Sequence, residues 1–343
     1  MGMILRASMF AACMAMTAAW QQARAQSTEF YQGRDVRLLI GAGPGGTYGI
    51  YAQLAARHLR QFIPGQPNIV VQHMPGAGGL IGLNYSYSIA PKDGTLMHLV
   101  HAEVLYESLL TKDVKFNARE YQWIGRFADA DSVVLTTRVS NARTLEDAIK
   151  REVTLGATGI ANIYALAPLL LNRMSATKFK IIGGYKGASD VFIAMERGEL
   201  DGAGMTLANA LAQHSDKMKS GDLVAILAIS AKRIPSLPDV PAMTEFGGGA
   251  EKSLLEIYAS TGTIGRALAF PPGVPQERLQ TMRDAFENML ADATFRTEVK
   301  KANILITPMS GPALASEVNR IMNTPPEQIA AARALHEELL RPK

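Results

Sequence analysis

The string Gly41-Ala42-Gly43-Pro44-Gly45-Gly46 holds the clearest chemical signal in this 343-residue chain. It follows an apolar run of strand length, Val36 to Ile40, and precedes residues of helical period, Ile50, Leu54, Ala55, Leu59 and Phe62. A glycine-rich turn at a helix start bares backbone N–H groups that have no partner within the helix, at the positive end of the helix dipole. That combination suits an anion. Read literally, the string matches G-x-G-x-x-G. A dinucleotide site also needs an acid about 20 or more residues further on, at the end of the second strand, to hold the ribose. Here that strand, Ile69 to Val71, runs into Gln72-His73. A P-loop needs lysine after its last glycine, and Gly46 is followed by Thr47. What survives is a general cradle for an anion such as a carboxylate, with a tight, ligand-free turn as the alternative.

Other candidates are sparser. Pro75-Gly76-Ala77-Gly78-Gly79 is a second glycine-rich turn opening a helix near Leu80, and Ala157-Thr158-Gly159-Ile160-Ala161-Asn162 lies between a strand and an apolar helix. Thr158 and Asn162 can offer hydroxyl and amide contacts beside free N–H groups, or can serve as plain helix caps. His98 and His101 are three apart at the end of a strand, a geometry that does not favour a shared metal, and no further ligand cluster accompanies them. His101 reads as a pocket or packing residue with Glu103 close enough to pair with it. No G-x-S-x-G or H-E-x-x-H motif is present, so neither a nucleophile elbow nor a zincin helix is expected.

The elements that position these loops alternate. After Val36–Ile40 and its helix come Ile69–Val71 and Leu96–Val100, the latter entered through an Asp93-Gly94 turn. Val133–Thr136, a helix over Leu145–Lys150, Val153–Ala157, Lys178–Ile182, a helix over Val191–Arg197 and Val224–Ile229 continue the pattern. Strand–helix alternation argues for parallel sheets covered by helices. Tyr121 to Thr137 carries two extended runs with no helix between them, and Ile264 to Phe270 is another extended run beyond a proline-rich stretch, Ile234 to Pro241. A chain that leaves one lobe and returns makes two crossings, which together form a hinge, and ligands favour the cleft between such lobes.

The ordered motifs resemble the Bug family, the TctC-like substrate-binding proteins of tripartite tricarboxylate transporters. Carrying the resemblance are Val36-Arg37-Leu38-Leu39-Ile40, Pro44-Gly45-Gly46-Thr47, Pro75-Gly76-Ala77-Gly78-Gly79 and Ala90-Pro91-Lys92-Asp93-Gly94. Further on stand Gly183-Gly184-Tyr185-Lys186-Gly187-Ala188, Gly198-Glu199-Leu200-Asp201, Leu237-Pro238-Asp239-Val240-Pro241 and Phe270-Pro271-Pro272-Gly273-Val274-Pro275. The resemblance implies an α/β, two-lobed periplasmic binding fold, type II-like, with two mixed or parallel sheets flanked by helices and a hinged interlobe cleft. It implies lobes at 26–130, 131–262 and 263–343, the last returning to the first lobe with C-terminal helices. In the family, two strand-to-helix loops hold a carboxylate through N–H groups, small hydroxyls and waters. Matched by position, those loops are Gly43, Pro44, Gly45, Gly46, Thr47 and Tyr48, and Thr158, Gly159, Ala161 and Asn162. Tyr185, Asp201 and Met205 are secondary candidates, and His101 and Glu103 stand near the expected cleft. Tyr48 and Gly49 depart from the family's small hydroxyl and acid, so Tyr48 is expected to stack on a ring or shorten the pocket. With Glu103 nearby, a tricarboxylate is not the expected ligand, since further negative charge is repelled.

The amino terminus sets the compartment. Arg6, an apolar run from Ala7 to Trp20 and Ala23-Arg24-Ala25 form the layout of a secretory signal peptide, residues 1–25, cleaved after Ala25 into the periplasm. The apolar run is shorter than the roughly 18–20 residues of a membrane span. The one cysteine, Cys13, leaves with it, so disulfides and cysteine-bound metals are not expected in the mature chain. The net charge of +4 drops by the two leader arginines, and the remaining basic residues are scattered, which argues against nucleic acid. The expectation is a monomeric, cofactor-free receptor, not an enzyme, that binds a small organic acid, with aromatic and zwitterionic acids among the options, and docks on membrane permease subunits. A ligand sensor for a membrane histidine kinase is the alternative, and an exported hydrolase a remote one.

Overall fold

The computed structural model describes residues 30–341 apart from 44, 45, 113, 141, 161 and 186. The expected signal peptide and its cleavage after Ala25 lie outside the described residues, as do Pro44, Gly45 and Ala161 of the two loops.

In chain order, β1 (Asp35–Ile40), α1 (Gly46–His58), β2 (Asn68–His73), α2 (Leu80–Ser88), β3 (Leu96–Val100), α3 (Val104–Leu110) and β4 (Gln122–Arg126) come first. There follow β5 (Ser132–Thr137), α4 (Leu145–Lys150), β6 (Val153–Gly156), α5 (Ile163–Met174), β7 (Phe179–Ile182) and α6 (Ala188–Glu196). Next are β8 (Gly202–Thr206), α7 (Leu207–Lys219), β9 (Leu223–Ile229) and α8 (Gly249–Ile264). The chain ends with β10 (Ala267–Phe270), α9 (Gln276–Ala291), α10 (Ala293–Lys301), β11 (Met309–Ser310), α11 (Gly311–Met322) and α12 (Pro326–Leu339).

Two sheets result, ordered β11-β4-β10-β3-β1-β2 and β7-β6-β8-β5-β9. Each has a parallel part built by helical crossovers, as β1 with β2 and β3, and β6 with β7 and β8. Strands that carry the chain between sheets break the pattern. β10 runs antiparallel to β3 and β4, and β5 runs antiparallel to β8 and β9. The sheets are therefore mixed, each joining a parallel part to a strand that enters from the other sheet and runs antiparallel to its neighbours.

The strand cores are apolar on both faces where helices cover both. Leu38, Leu39 and Ile40 of β1 and Val133, Val134 and Leu135 of β5 are fully buried. Helix α8 lies between the two sets of elements. Its Leu254, Leu255, Ile257, Tyr258, Ala259 and Ile264 are buried, and it packs against α3, α11 and α12 as well as α5.

The segments joining the sheets are paired to each other. Phe127 N–H donates to the Arg266 carbonyl at 2.9 Å, Arg266 N–H to Ala128 at 2.8 Å, and Ala130 N–H to Gly262 at 3.0 Å. Gly265 closes α8 at φ 52°, and a Cβ there would stand 2.1 Å from the Ala128 carbonyl oxygen. Only glycine fits that turn. Among the described residues no helix is long and apolar enough to cross a membrane.

Candidate ligand-binding site

The first two glycine-rich turns are in contact. A Cβ on Gly41 would lie 3.1 Å from Gly79 Cα, and one on Gly82 3.2 Å from Gly41 Cα. Gly79 has φ +97°, and a Cβ on it would meet His101 Cδ2 at 2.5 Å. These glycines let two backbones close and let the His101 imidazole lie over the second. Gly43 and Gly159 differ: a Cβ on either meets nothing within 4 Å, so open space adjoins both loops.

Tyr48, in the first turn of α1, faces inward. Its hydroxyl oxygen accepts the Ala102 N–H at 2.8 Å, and its ring stacks on His101 with centroids 4.6 Å apart and planes 14° from parallel. The Arg266 guanidinium lies 4.4 Å from the same ring's centroid, and its Nη2 donates to Thr47 Oγ1 at 2.8 Å. Arg266, from a segment joining the sheets, thus grips the first loop. Burial pushes the Tyr48 hydroxyl far above the ordinary tyrosine value, against the pull of Arg266, so it stays protonated.

His101 Nδ1 and Glu103 Oε2 are 2.6 Å apart. Burial works to raise Glu103, but the bond and charge from His101 outweigh it and hold the carboxyl below the usual range. His101 and Glu103 form one wall of a pocket of about 360 Å³, joined by Tyr106 and Glu107 of α3. The facing wall is the start of α5, with Asn162, Ile163, Tyr164 and Leu166, and Tyr258 and Thr261 of α8 complete it. Asn162 caps α5, its Oδ1 accepting the Tyr164 N–H at 2.9 Å. Tyr164 fits because Gly204 of β8 has no side chain; a Cβ there would lie 2.5 Å from Tyr164 Cβ. Burial raises the Tyr164 hydroxyl, with a bond to Ser132 opposing it.

The expected site residues divide. Thr47 and Tyr48 are joined by Arg266, Tyr48 stacks on His101, His101 bonds Glu103, and Asn162 lines the same pocket as His101 and Glu103. Thr158 is exposed and Gly159 half-buried in the loop leading to Asn162, whose N–H reaches the Gly159 carbonyl at 3.3 Å. Tyr185 is half-buried beyond β7, against the core beneath the second sheet. Met205 is buried in that core, and Asp201 sits before β8, at the strand end away from the pocket. The Asp201 carboxylate accepts from Arg151 Nη2 at 3.0 Å and from Thr154 N–H at 2.8 Å, bridging β6 to β8. The structure does not bring Asp201 or Met205 to the others.

Tyr106, Glu107, Tyr164 and Tyr258 line the pocket and Arg266 braces the loop beside it, and sequence reasoning missed all five. Glu103, Tyr106 and Glu107 stand at i, i+3 and i+4, one helix face, and that signal was available. His98 belongs elsewhere. It is fully buried, its Nδ1 lies 2.9 Å from Ser86 Oγ, and burial with His101 nearby lowers it to about 3, so it stays neutral in the core.

Residues 51–319 match the family model described as tripartite tricarboxylate transporter family receptor. A UPF0065 protein of Cupriavidus necator is 27% identical over 305 residues, 87% of this chain and 87% of its own. A TctC solute-binding protein from Polaromonas superposes with a TM-score of 0.66 at 19% identity, covering 90% of this chain and 99% of that one. MatC from Rhodopseudomonas palustris, solved with bound malate, superposes with a TM-score of 0.59 at 17% identity, covering 90% and 99%. The fold shared with these structures is the two-lobed periplasmic binding fold.

Proposed function

The chain belongs to the tripartite tricarboxylate transporter receptor family, and from that premise we propose that it captures a small carboxylate-bearing molecule between its sheets for delivery to a tripartite membrane transporter. One observation carries the reading: a single pocket is walled by residues 101–107 from before the first crossing, 162–166 from after it, and 258–261 beside the return. A solute there touches both sides of the hinge, so closure and capture are one event. In this reading the lobes are residues 26–130 with 263–343, and 131–262, turning about the paired segments 127–131 and 262–266. Helix α5 and the loop around Gly43 offer the solute carboxylate N–H groups at helix starts. The transporter distinguishes loaded from empty receptor by its higher affinity for the closed form.

The family's members are binding proteins rather than enzymes, and the same is proposed here. The polar groups lining the pocket are acids, tyrosines, an amide, a Thr261 hydroxyl donated to the Tyr258 carbonyl and an imidazole already bonded to Glu103, a set suited to recognition. A monomer working in the periplasm after loss of residues 1–25 completes the proposal. Support for a carboxylate comes from MatC, which shares the fold and binds malate.

The test is a thermal-shift panel of organic acids on the mature protein. A ligand at 100 times its Kd stabilises the native state by about 2.7 kcal/mol. A clear upward shift with at least one acid is expected. A broad panel with no shift refutes the proposal.

A further inference from the structure

The charge and shape of this pocket narrow its ligand beyond "a carboxylate". Glu103 and Glu107 both line it, Tyr106 and Tyr164 stand beside Asn162, and Tyr258, almost fully buried and bonded through its hydroxyl to His336, lies behind them. Among the described residues no lysine or arginine lines it. The two basic side chains near these acids are already engaged: His101 faces Glu103 through Nδ1, and Arg266 is held by Thr47 Oγ1 and the Tyr48 ring. Glu107 accepts a hydrogen bond from Thr111 Oγ1, and burial, with the charge of Glu103 adding to it, raises its carboxyl above the usual range. The pocket thus keeps two acids close together in a partly dry, aromatic space, with His101 committed to Glu103 and no lysine or arginine in its lining.

Resting on the receptor reading above, we infer that the captured solute bears a protonated amine as well as its carboxylate, the amine lying between Glu103, Glu107 and the tyrosines. A cation there offsets both acidic charges and meets the electron-rich faces that tyrosines present to ammonium groups. A second carboxylate in the same place would meet two like charges in a low dielectric. The malate bound by MatC carries two carboxylates, so this pocket selects against the charge pattern that MatC accepts. The ligand class is a zwitterion with its charges separated by a few bonds, of a size that fits about 360 Å³.

Matched probes separate the alternatives by calorimetric titration on the full mature protein. One set is 4-aminobutyrate, pentanoate and glutarate; the other is 4-(aminomethyl)benzoate, 4-ethylbenzoate and 4-(carboxymethyl)benzoate. Each set keeps one carboxylate and places an ammonium, a methyl or a second carboxylate at the far end. The amine of at least one set should bind roughly tenfold or more tightly than both of its partners. Glu107→Gln should then weaken the amine and tighten the dicarboxylate, opposite changes that general damage cannot produce. If the methyl or dicarboxylate member binds as well as the amine, the inference is overturned and the receptor reading stands. If none of the six binds while other acids shift the melting temperature, the inference alone falls; if nothing binds, both fall.

Discussion

Tyr48 is the side chain whose replacement reads the site most finely, because its hydroxyl and its ring have separate partners. Tyr48→Phe keeps the ring and removes the acceptor of the Ala102 N–H, on a residue only 4% exposed. A buried donor left unpaired costs about 1–3 kcal/mol. Tyr48→Ala also removes the stack on His101 and the guanidinium contact with Arg266. An aromatic pair contributes about 0.5–1.5 kcal/mol and a partly desolvated cation–π contact about 1–2, and replacing a buried aromatic ring by alanine costs roughly 3–5 kcal/mol in all. For a protein of this size each kcal/mol moves the melting temperature by about 2 °C. Calorimetric melts should therefore show a fall of roughly 2–6 °C for the phenylalanine variant and 6–10 °C for the alanine variant. A phenylalanine variant melting with the wild type means the Ala102 bond contributes nothing. An alanine variant no worse than phenylalanine means the ring does not hold His101 and Arg266 in place.

Three further outcomes follow from the same geometry. Gly79→Ala, at φ +97° with its new methyl against the imidazole, should lower the melting temperature by about 4–6 °C and weaken ligand binding by moving His101 off Tyr48; unchanged affinity would detach His101 from the site. Gly265→Ala, whose Cβ meets the Ala128 carbonyl, should cost about 3 kcal/mol or more and disturb the paired crossing segments, seen as a lower urea midpoint; a variant as stable as wild type contradicts the hinge geometry. Burial, with Asp129 adding to it against Arg126, raises Asp131 to about 6. Its protonated form is the one the fold favours, so its contribution is complete below the unfolded value near 4 and is lost as pH rises through about 6. Asp131→Asn should therefore match wild type at pH 4 and melt higher above pH 6, by about 2 kcal/mol of stability; a constant difference across that range contradicts the assignment.

Much of the fold is written in short-range pattern. Leu96–Val100 and Leu145–Lys150 emerge with the bounds that their apolar period and turn residues predict, and Val36–Ile40, Lys178–Ile182 and Val224–Ile229 differ by a residue. Helix α8 does not reveal itself, because Ser253, Ser260, Thr261 and Gly262 are buried beside its leucines and leave no apolar stripe against a polar face. The glycine strings point to a cradle, but which glycines serve packing and which leave space depends on Gly41, Gly79 and His101 meeting in three dimensions. Arg266 reaches Thr47 across 219 positions of sequence, a pairing no local period encodes. The motif ending in Asp201 reads like a binding signature, yet its carboxylate ties β6 to β8 at the strand end away from the pocket.

The central claim is that a carboxylate is held where the loops of Gly43 and Gly159 approach the pocket between the sheets. Both glycines have room for a side chain, so Gly43→Leu and Gly159→Leu should fold and melt like the wild type while filling the space a ligand needs. Isothermal titration with the best acid from the panel should give one site per wild-type chain and binding weakened roughly tenfold or more in each variant. Wild-type affinity in both variants would contradict the account.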